Sequence, residues 1–133
     1  MSTKKAIVFD DHDLFRNLFA RNFRDKEIRV TTYPNPTLYF CSDPSVNSCP
    51  VETPCVNFLL TDNSMPDMTG LEFLTRLKHI GCKIPDCQKA IISGDWSDED
   101  LIKAKQLVSH VFVKFGSKKL IDSWVEESIC RPL

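Results

Sequence analysis

The feature that most constrains the fold of this chain is the stretch Val56-Asn57-Phe58-Leu59-Leu60-Thr61-Asp62 together with the loop and helix pattern after it. A mostly apolar run with aromatic and branched members reads as a buried strand, and it stops on an acid that an apolar core does not accept without compensation. Asp62 therefore stands at the strand's C-terminal end, where the chain surfaces. Pro66 and Gly70 mark a loop, after which Leu71, Phe73, Leu74, Leu77 and Ile80 return at helical spacing. Strand, acid, loop, helix is the crossover unit of an open α/β sheet, whose ligands bind beyond the carboxyl ends of the strands.

The same organisation recurs along the chain. Lys4-Lys5-Ala6-Ile7-Val8-Phe9 is a short strand ending in Asp10-Asp11, and Asp13 is expected to cap a helix with Leu14, Phe15, Leu18, Phe19 and Phe23 at helical spacing. Ile28 to Tyr33 is β-prone, half polar and closed by Pro34, which suits a strand near the sheet edge. Lys89-Ala90-Ile91-Ile92 makes a fourth strand ending in Ser93-Gly94. Ser97 then opens a helix in the capping-box style, with an apolar face of Leu101, Ile102, Ala104 and Leu107. Val111-Phe112-Val113 is the fifth strand, ending in Lys114, and Ser117 caps a last helix with the stripe Leu120, Ile121, Trp124, Val125 and Ile129. Residues 34–55 break the alternation: Pro36 to Cys41 suits a shortened second helix, and Pro44, Pro50 and Pro54 then impose a long loop. Five strands alternating with helices imply a doubly wound parallel sheet covered on both faces.

A length of 133 residues fits a single domain spanning the chain, with no separate output domain. The formal net charge of -1 offers no electrostatic case for nucleic acid or an anionic membrane. Lys4-Lys5 and the short run to Phe9 fall far below a signal peptide or a membrane span, so a cytoplasmic location is expected. The six cysteines, Cys41, Cys49, Cys55, Cys82, Cys87 and Cys130, form no C-x-x-C pair. Free or buried thiols are the expectation, with a metal or redox site as the alternative. Cys55, Cys82 and Cys87 precede strands and so fall near the sheet end away from the acids.

Gathered at the strand ends are Asp10, Asp11, Asp62, Ser93 and Lys114. Each has an ordinary explanation: helix-start caps for the first two, a turn residue, a solvated charge. Together they define a chemistry. Converging carboxylates repel, and a hard cation such as Mg²⁺ relieves them. A lysine and a hydroxyl on neighbouring strands complete a phosphoryl site, in which an aspartate can be the nucleophile.

These motifs resemble a response regulator receiver domain from Lys5 to the last helix, residues 34–55 excluded. The resemblance implies a flavodoxin-like (βα)5 fold with strand order 2-1-3-4-5. The family's Mg²⁺-binding acid pair corresponds to Asp10 and Asp11, and its phosphoacceptor, followed by Met-Pro and Gly-Leu, to Asp62 with Met65-Pro66 and Gly70-Leu71. Ser64 takes the position whose backbone carbonyl is a metal ligand, Ser93 the switch hydroxyl and Lys114 the phosphate-binding lysine. Ser64 and Asp95 take the positions that tune hydrolysis. Two departures stand out: Phe115 replaces the proline that usually comes after the lysine in a cis bond, and Val111 replaces the usual aromatic switch residue, with Phe112 facing the other way.

The implied activity is that of a signalling switch: Asp62 accepts a phosphoryl group from a histidine kinase or phosphotransfer protein in a Mg²⁺-dependent reaction. A downstream protein then reads the fourth helix and fifth strand. Beyond self-phosphorylation from small donors and autodephosphorylation, no enzymatic activity is expected. Two rivals remain open. One is a receiver-like interaction module independent of phosphate; the other is a haloacid-dehalogenase-type phosphatase with Asp11, in Asp-x-Asp with Asp13, as its nucleophile.

Overall fold

The computed structural model describes residues 4–127. Five parallel strands, β1 (Lys5–Phe9), β2 (Arg29–Tyr33), β3 (Phe58–Asp62), β4 (Lys89–Ser93) and β5 (His110–Val113), lie in the order β2-β1-β3-β4-β5. Among the described residues four α-helices accompany them: α1 (Asp13–Arg24), α2 (Gly70–His79), α3 (Asp98–Leu107) and α4 (Lys118–Glu127). The doubly wound five-stranded sheet expected from the sequence is thus the one observed.

Strand alternation sorts the core into two layers. Ala6, Val8, Phe58, Leu60, Ala90, Ile92 and Phe112 pack with Phe19 and Phe23 of α1 and with Ile121, Trp124 and Val125 of α4. On the opposite face Ile7, Phe9, Leu59 and Ile91 meet Phe73, Leu74 and Leu77 of α2 and Ala104 of α3. Every residue of β3 and β4 is buried, because helices cover both of their faces. Each large apolar side chain so buried contributes about 1.5–3 kcal/mol. Phe112 and Val111 do face opposite layers.

The second crossover departs from expectation. Instead of one short helix from Pro36 to Cys41, there are two 3-10 turns, Pro36–Leu38 and Phe40–Ser42, and the expected fourth helix is accordingly α3. Tyr39 is extended (φ -92°, ψ 134°), so helix cannot propagate through it. An aromatic cluster covers the sheet where a helix would lie. Tyr39 meets Phe9 edge-on at 5.5 Å and Phe73 at 6.2 Å between ring centroids, and Phe9 stacks on Tyr33 at 5.5 Å. Arg76 of α2 then ties down the loop by donating to the carbonyls of Asp43 (2.9 Å) and Val46.

Some helix faces are narrower than the apolar pattern suggests. Leu14, Leu18, Ile102 and Leu120 are exposed, and the buried stripes run instead through Phe19 and Phe23, Ala104, and Ile121 with Trp124. Ile129 lies outside the described residues. Asp13 is not the cap of α1: that position is His12, while Asp13 sits in the first turn and pairs with Arg16 at 2.6 Å. Ser97 caps α3 as expected, accepting from the Asp100 N–H at 3.1 Å. Cys87 is disulfide-bonded rather than a free thiol, a connectivity that spacing alone does not announce. Cys130 lies outside the described residues.

Candidate functional site

The register of the sheet brings the strand ends together. β1 and β3 pair in parallel with Phe9 beside Thr61, so the next residues, Asp10 and Asp62, emerge side by side. Ser93 closes β4, and the Lys114 N–H donates to its carbonyl at 2.9 Å, which fixes the lysine at the same edge. The Lys114 ammonium lies 3.1 Å from Asp10 Oδ2 and 3.4 Å from Asp62 Oδ2. Asp10 and Asp62 are 0% and 2% exposed, so this is a desolvated ion-pair network rather than a screened surface one.

Its charges do not balance. Ligand oxygens of Asp10, Asp11 and Asp62 all lie within 4.8 Å of one another, three carboxylates facing one ammonium. Asp10 Oδ1 accepts from the His12 N–H at 2.9 Å, whereas Asp62 Oδ1 is buried with no hydrogen-bond partner among the described residues. Burial, then the charge of Asp10, pushes the Asp62 carboxyl up to about 6, against the pull of Lys114 and the Ser64 N–H. Asp10 is raised as well, chiefly by burial, with the His12 N–H and Lys114 opposing. An orphaned buried oxygen in an all-oxygen set of excess negative charge fits a hard divalent cation such as Mg²⁺. Asp11, unlike Asp10 and Asp62, is exposed.

The loop after Asp62 is held from below by α2. A methyl group on Gly70 would come within 2.4 Å of the Asp62 carbonyl, so the helix approaches the strand end as closely as it does because that residue has no side chain. The Gly70 N–H donates to Asn63 O, and the Leu71 N–H to the Asn63 side chain, both at 3.1 Å. Thr69 and Glu72 form a reciprocal capping box that starts the helix at this point. Ser64 is exposed, two residues past Asp62.

Ser93 is 1% exposed, and its hydroxyl donates to the Asp95 carbonyl at 3.1 Å while accepting from the Asp95 N–H at 3.2 Å. It is thus engaged with its own turn rather than with the carboxylates. Sequence reasoning missed Phe15, whose ring lies 4.3 Å from the Lys114 ammonium and braces it from α1. Phe15 also meets Phe115 at 5.9 Å, and Phe115 is 75% exposed. The helical period marked Phe15 as core, and the cation in the pocket was the only signal that an aromatic would serve it. No cis peptide bond occurs among the described residues.

No protein-family model matches the chain, and no curated protein sequence matches it. Solved structures do. The signal receiver domain of the response regulator NarL from Mycobacterium tuberculosis superimposes with a TM-score of 0.74 at 17% identity, covering 98% of this chain and all of that one. FixJ-N gives 0.73 at 21% identity, covering 96% and 94% of the two chains. CheY4 of Vibrio cholerae gives 0.67 at 16% identity, covering 96% and 100%. The chain therefore has the fold of response regulator receiver domains over nearly its whole length. Among the described residues, no helix is long and apolar enough to cross a membrane.

Proposed function

We propose that this protein is a phosphorylation-dependent signalling switch, with Asp62 as the phosphoacceptor. The observation that carries the reading is the juxtaposition of buried Asp62 with Asp10, Asp11 and Lys114 at one sheet edge of a receiver fold. Asp10, Asp11, Asp62 and the Ser64 carbonyl would hold Mg²⁺, which supplies charge neutralisation for the transferring phosphoryl oxygens. A carboxylate oxygen of Asp62 attacks the phosphorus of a phosphohistidine on a kinase or phosphotransfer protein. The P–O bond forms as the P–N bond breaks, and the imidazole nitrogen keeps the electron pair. Lys114, held between Asp10 and Asp62, is placed to bind a phosphoryl oxygen. Ser93 would give up its bond to the Asp95 carbonyl and donate to another.

That exchange transmits the signal, because the Ser93 turn leads directly into α3. Trp96 in this turn donates to the Phe112 carbonyl at 2.9 Å, so movement of the turn is felt by β5. Ile102 on α3, Val113 on β5 and Leu120 on α4 are 61%, 54% and 58% exposed, apolar surface suited to a downstream protein. Water attack on the acyl phosphate returns the carboxylate and inorganic phosphate, resetting the switch.

Incubation with Mg²⁺ and a small phosphodonor such as acetyl phosphate, then borohydride trapping and peptide mass spectrometry, tests this assignment. Label on Asp62 is the expected result. Label on Asp11 would favour the phosphatase, and no label would favour an interaction module that works without phosphate.

A further inference from the structure

Lys114 is pinned along its backbone, while its side chain is a long flexible stem. Its N–H donates to Ser93 O at 2.9 Å, and its carbonyl accepts from the Ser117 hydroxyl at 3.1 Å. The place of the ammonium is therefore set by what touches it. Two carboxylate oxygens do so, Asp10 Oδ2 at 3.1 Å and Asp62 Oδ2 at 3.4 Å, and the Phe15 ring centroid lies 4.3 Å away. With its side chain 11% exposed, the lysine keeps little water as an alternative partner.

The Phe15 ring is itself held in place. Arg16, the next residue, donates to the Asp10 carbonyl at 2.9 Å and so docks the first turn of α1 on the end of β1. Around the ring stand His12 at 5.2 Å, Phe19 at 6.0 Å and Phe115 at 5.9 Å between centroids. Phe19 is buried in the core and anchors the array. Phe115 follows Lys114 directly in the chain, so the end of β5 reaches the ring twice, through the ammonium and through an aromatic side chain.

We propose that Phe15 is a positioning residue for phosphoryl transfer: its ring face holds the Lys114 ammonium in place while that ammonium exchanges hydrogen-bond partners. The inference rests on Asp62 being the phosphoacceptor. In the transfer a carboxylate oxygen of Asp62 bonds to phosphorus as the bond to the leaving group breaks, and the leaving atom keeps the electron pair. Asp62 thereby gives up its charge as a partner of Lys114, and the negative charge beside the lysine now lies on the phosphoryl oxygens. The ammonium must turn from one to the other. An aromatic face attracts a cation through its quadrupole without engaging any particular N–H. Phe15 therefore steadies the ammonium through that turn and competes with no phosphoryl oxygen for a donor. The attraction is strongest where water is excluded, as it is at this lysine. An aliphatic side chain of similar bulk would cover the ammonium and supply no such attraction.

The test replaces Phe15, in the full-length protein, with mono-, di- and trifluorinated phenylalanine, which nearly keep the ring's shape while withdrawing negative charge from its face. The rate of phosphorylation by acetyl phosphate with Mg²⁺ is measured for each, and the labelled residue is identified by mass spectrometry. The rate is expected to fall stepwise with fluorination, to about one-fifth in the trifluorinated protein, with the urea midpoint unmoved. Phe15→Trp is expected to exceed Phe15→Leu about fivefold, because the larger indole face attracts a cation more strongly. A role in packing alone gives the opposite pattern, with Leu tolerated, Trp impaired and fluorination without effect. Label on Asp62 at equal rates across the fluorinated series overturns the positioning role and leaves the phosphoacceptor assignment standing. No label on Asp62 in the unaltered protein overturns both.

Discussion

At the C-terminal ends of the strands three carboxylates face one ammonium; at the N-terminal end of β4 the buried Lys89 ammonium faces one half-exposed carboxylate, Asp86, at 3.4 Å. The first end leaves negative charge uncompensated and the second is a one-to-one ion pair. Asp10 and Asp62 adjoin paired strands and are clasped by α2 through Gly70, so their repulsion cannot relax by movement. Cys41, Cys49 and Cys55 lie on the second crossover, a segment whose regular structure amounts to two 3-10 turns. The rigid end can relieve its repulsion only by redistributing charge, whereas the second crossover is held by ring contacts and by hydrogen bonds from Arg76.

The largest expected effect tests that rigidity. Gly70→Ala places a methyl against the Asp62 carbonyl, a backbone atom with nowhere to go, and is expected to cost about 3 kcal/mol in urea denaturation. A cost under about 0.5 kcal/mol would erase the contrast between the two ends. Next, Asp62→Asn should stabilise the Mg²⁺-free protein by about 2 kcal/mol at pH 7, because it removes a buried charge repelled by Asp10.

The pH dependence carries the same sign. Asp62 titrates at about 6 in the folded protein and near 3.8 when unfolded, so between those values the folded state holds a proton that the unfolded state has released. Stability contributed by this group therefore falls as pH rises from about 4 to about 6, and is flat above. Saturating Mg²⁺ should flatten or reverse that slope, and Mg²⁺ affinity should itself weaken below about pH 6.

At the opposite end, Lys89→Met is expected to stabilise the protein by about 1 kcal/mol in urea denaturation, since it removes a buried ammonium whose ion-pair partner is half-exposed. A loss of several kcal/mol would mean that Asp86 alone satisfies the ammonium. The smallest effect should come from Thr69→Ala, which removes the cap of α2 for about 0.5–1 kcal/mol while leaving Mg²⁺ affinity within about twofold.

Legibility in the sequence divides along the same line. The strands ending at Asp10, Asp62 and Lys114 could be read because a buried strand is a continuous apolar run and an acid or lysine at its end breaks the pattern visibly. Parallel pairing then forces those ends to one edge. The second crossover could not be read beyond its prolines, because Tyr39 covers the sheet through ring contacts that have no sequence period. Phe15 looked like core for the complementary reason: it keeps the helical period, while its contact with Lys114 depends on where β5 ends. The docking of the crossover on α2, through the Cys49 N–H to Ile80 O and Arg76 to the Asp43 carbonyl, likewise has no sequence signal.

Whether Asp62 is the phosphoacceptor is decided most simply by a beryllofluoride titration in the presence of Mg²⁺, monitored by fluorine NMR and by Trp96 fluorescence, on the unaltered protein and on Asp62→Asn. A Mg²⁺-dependent bound fluorine signal and a Trp96 response are expected in the unaltered protein, with both absent in the variant. Bound fluoride that survives Asp62→Asn, or none in either protein, would refute the assignment.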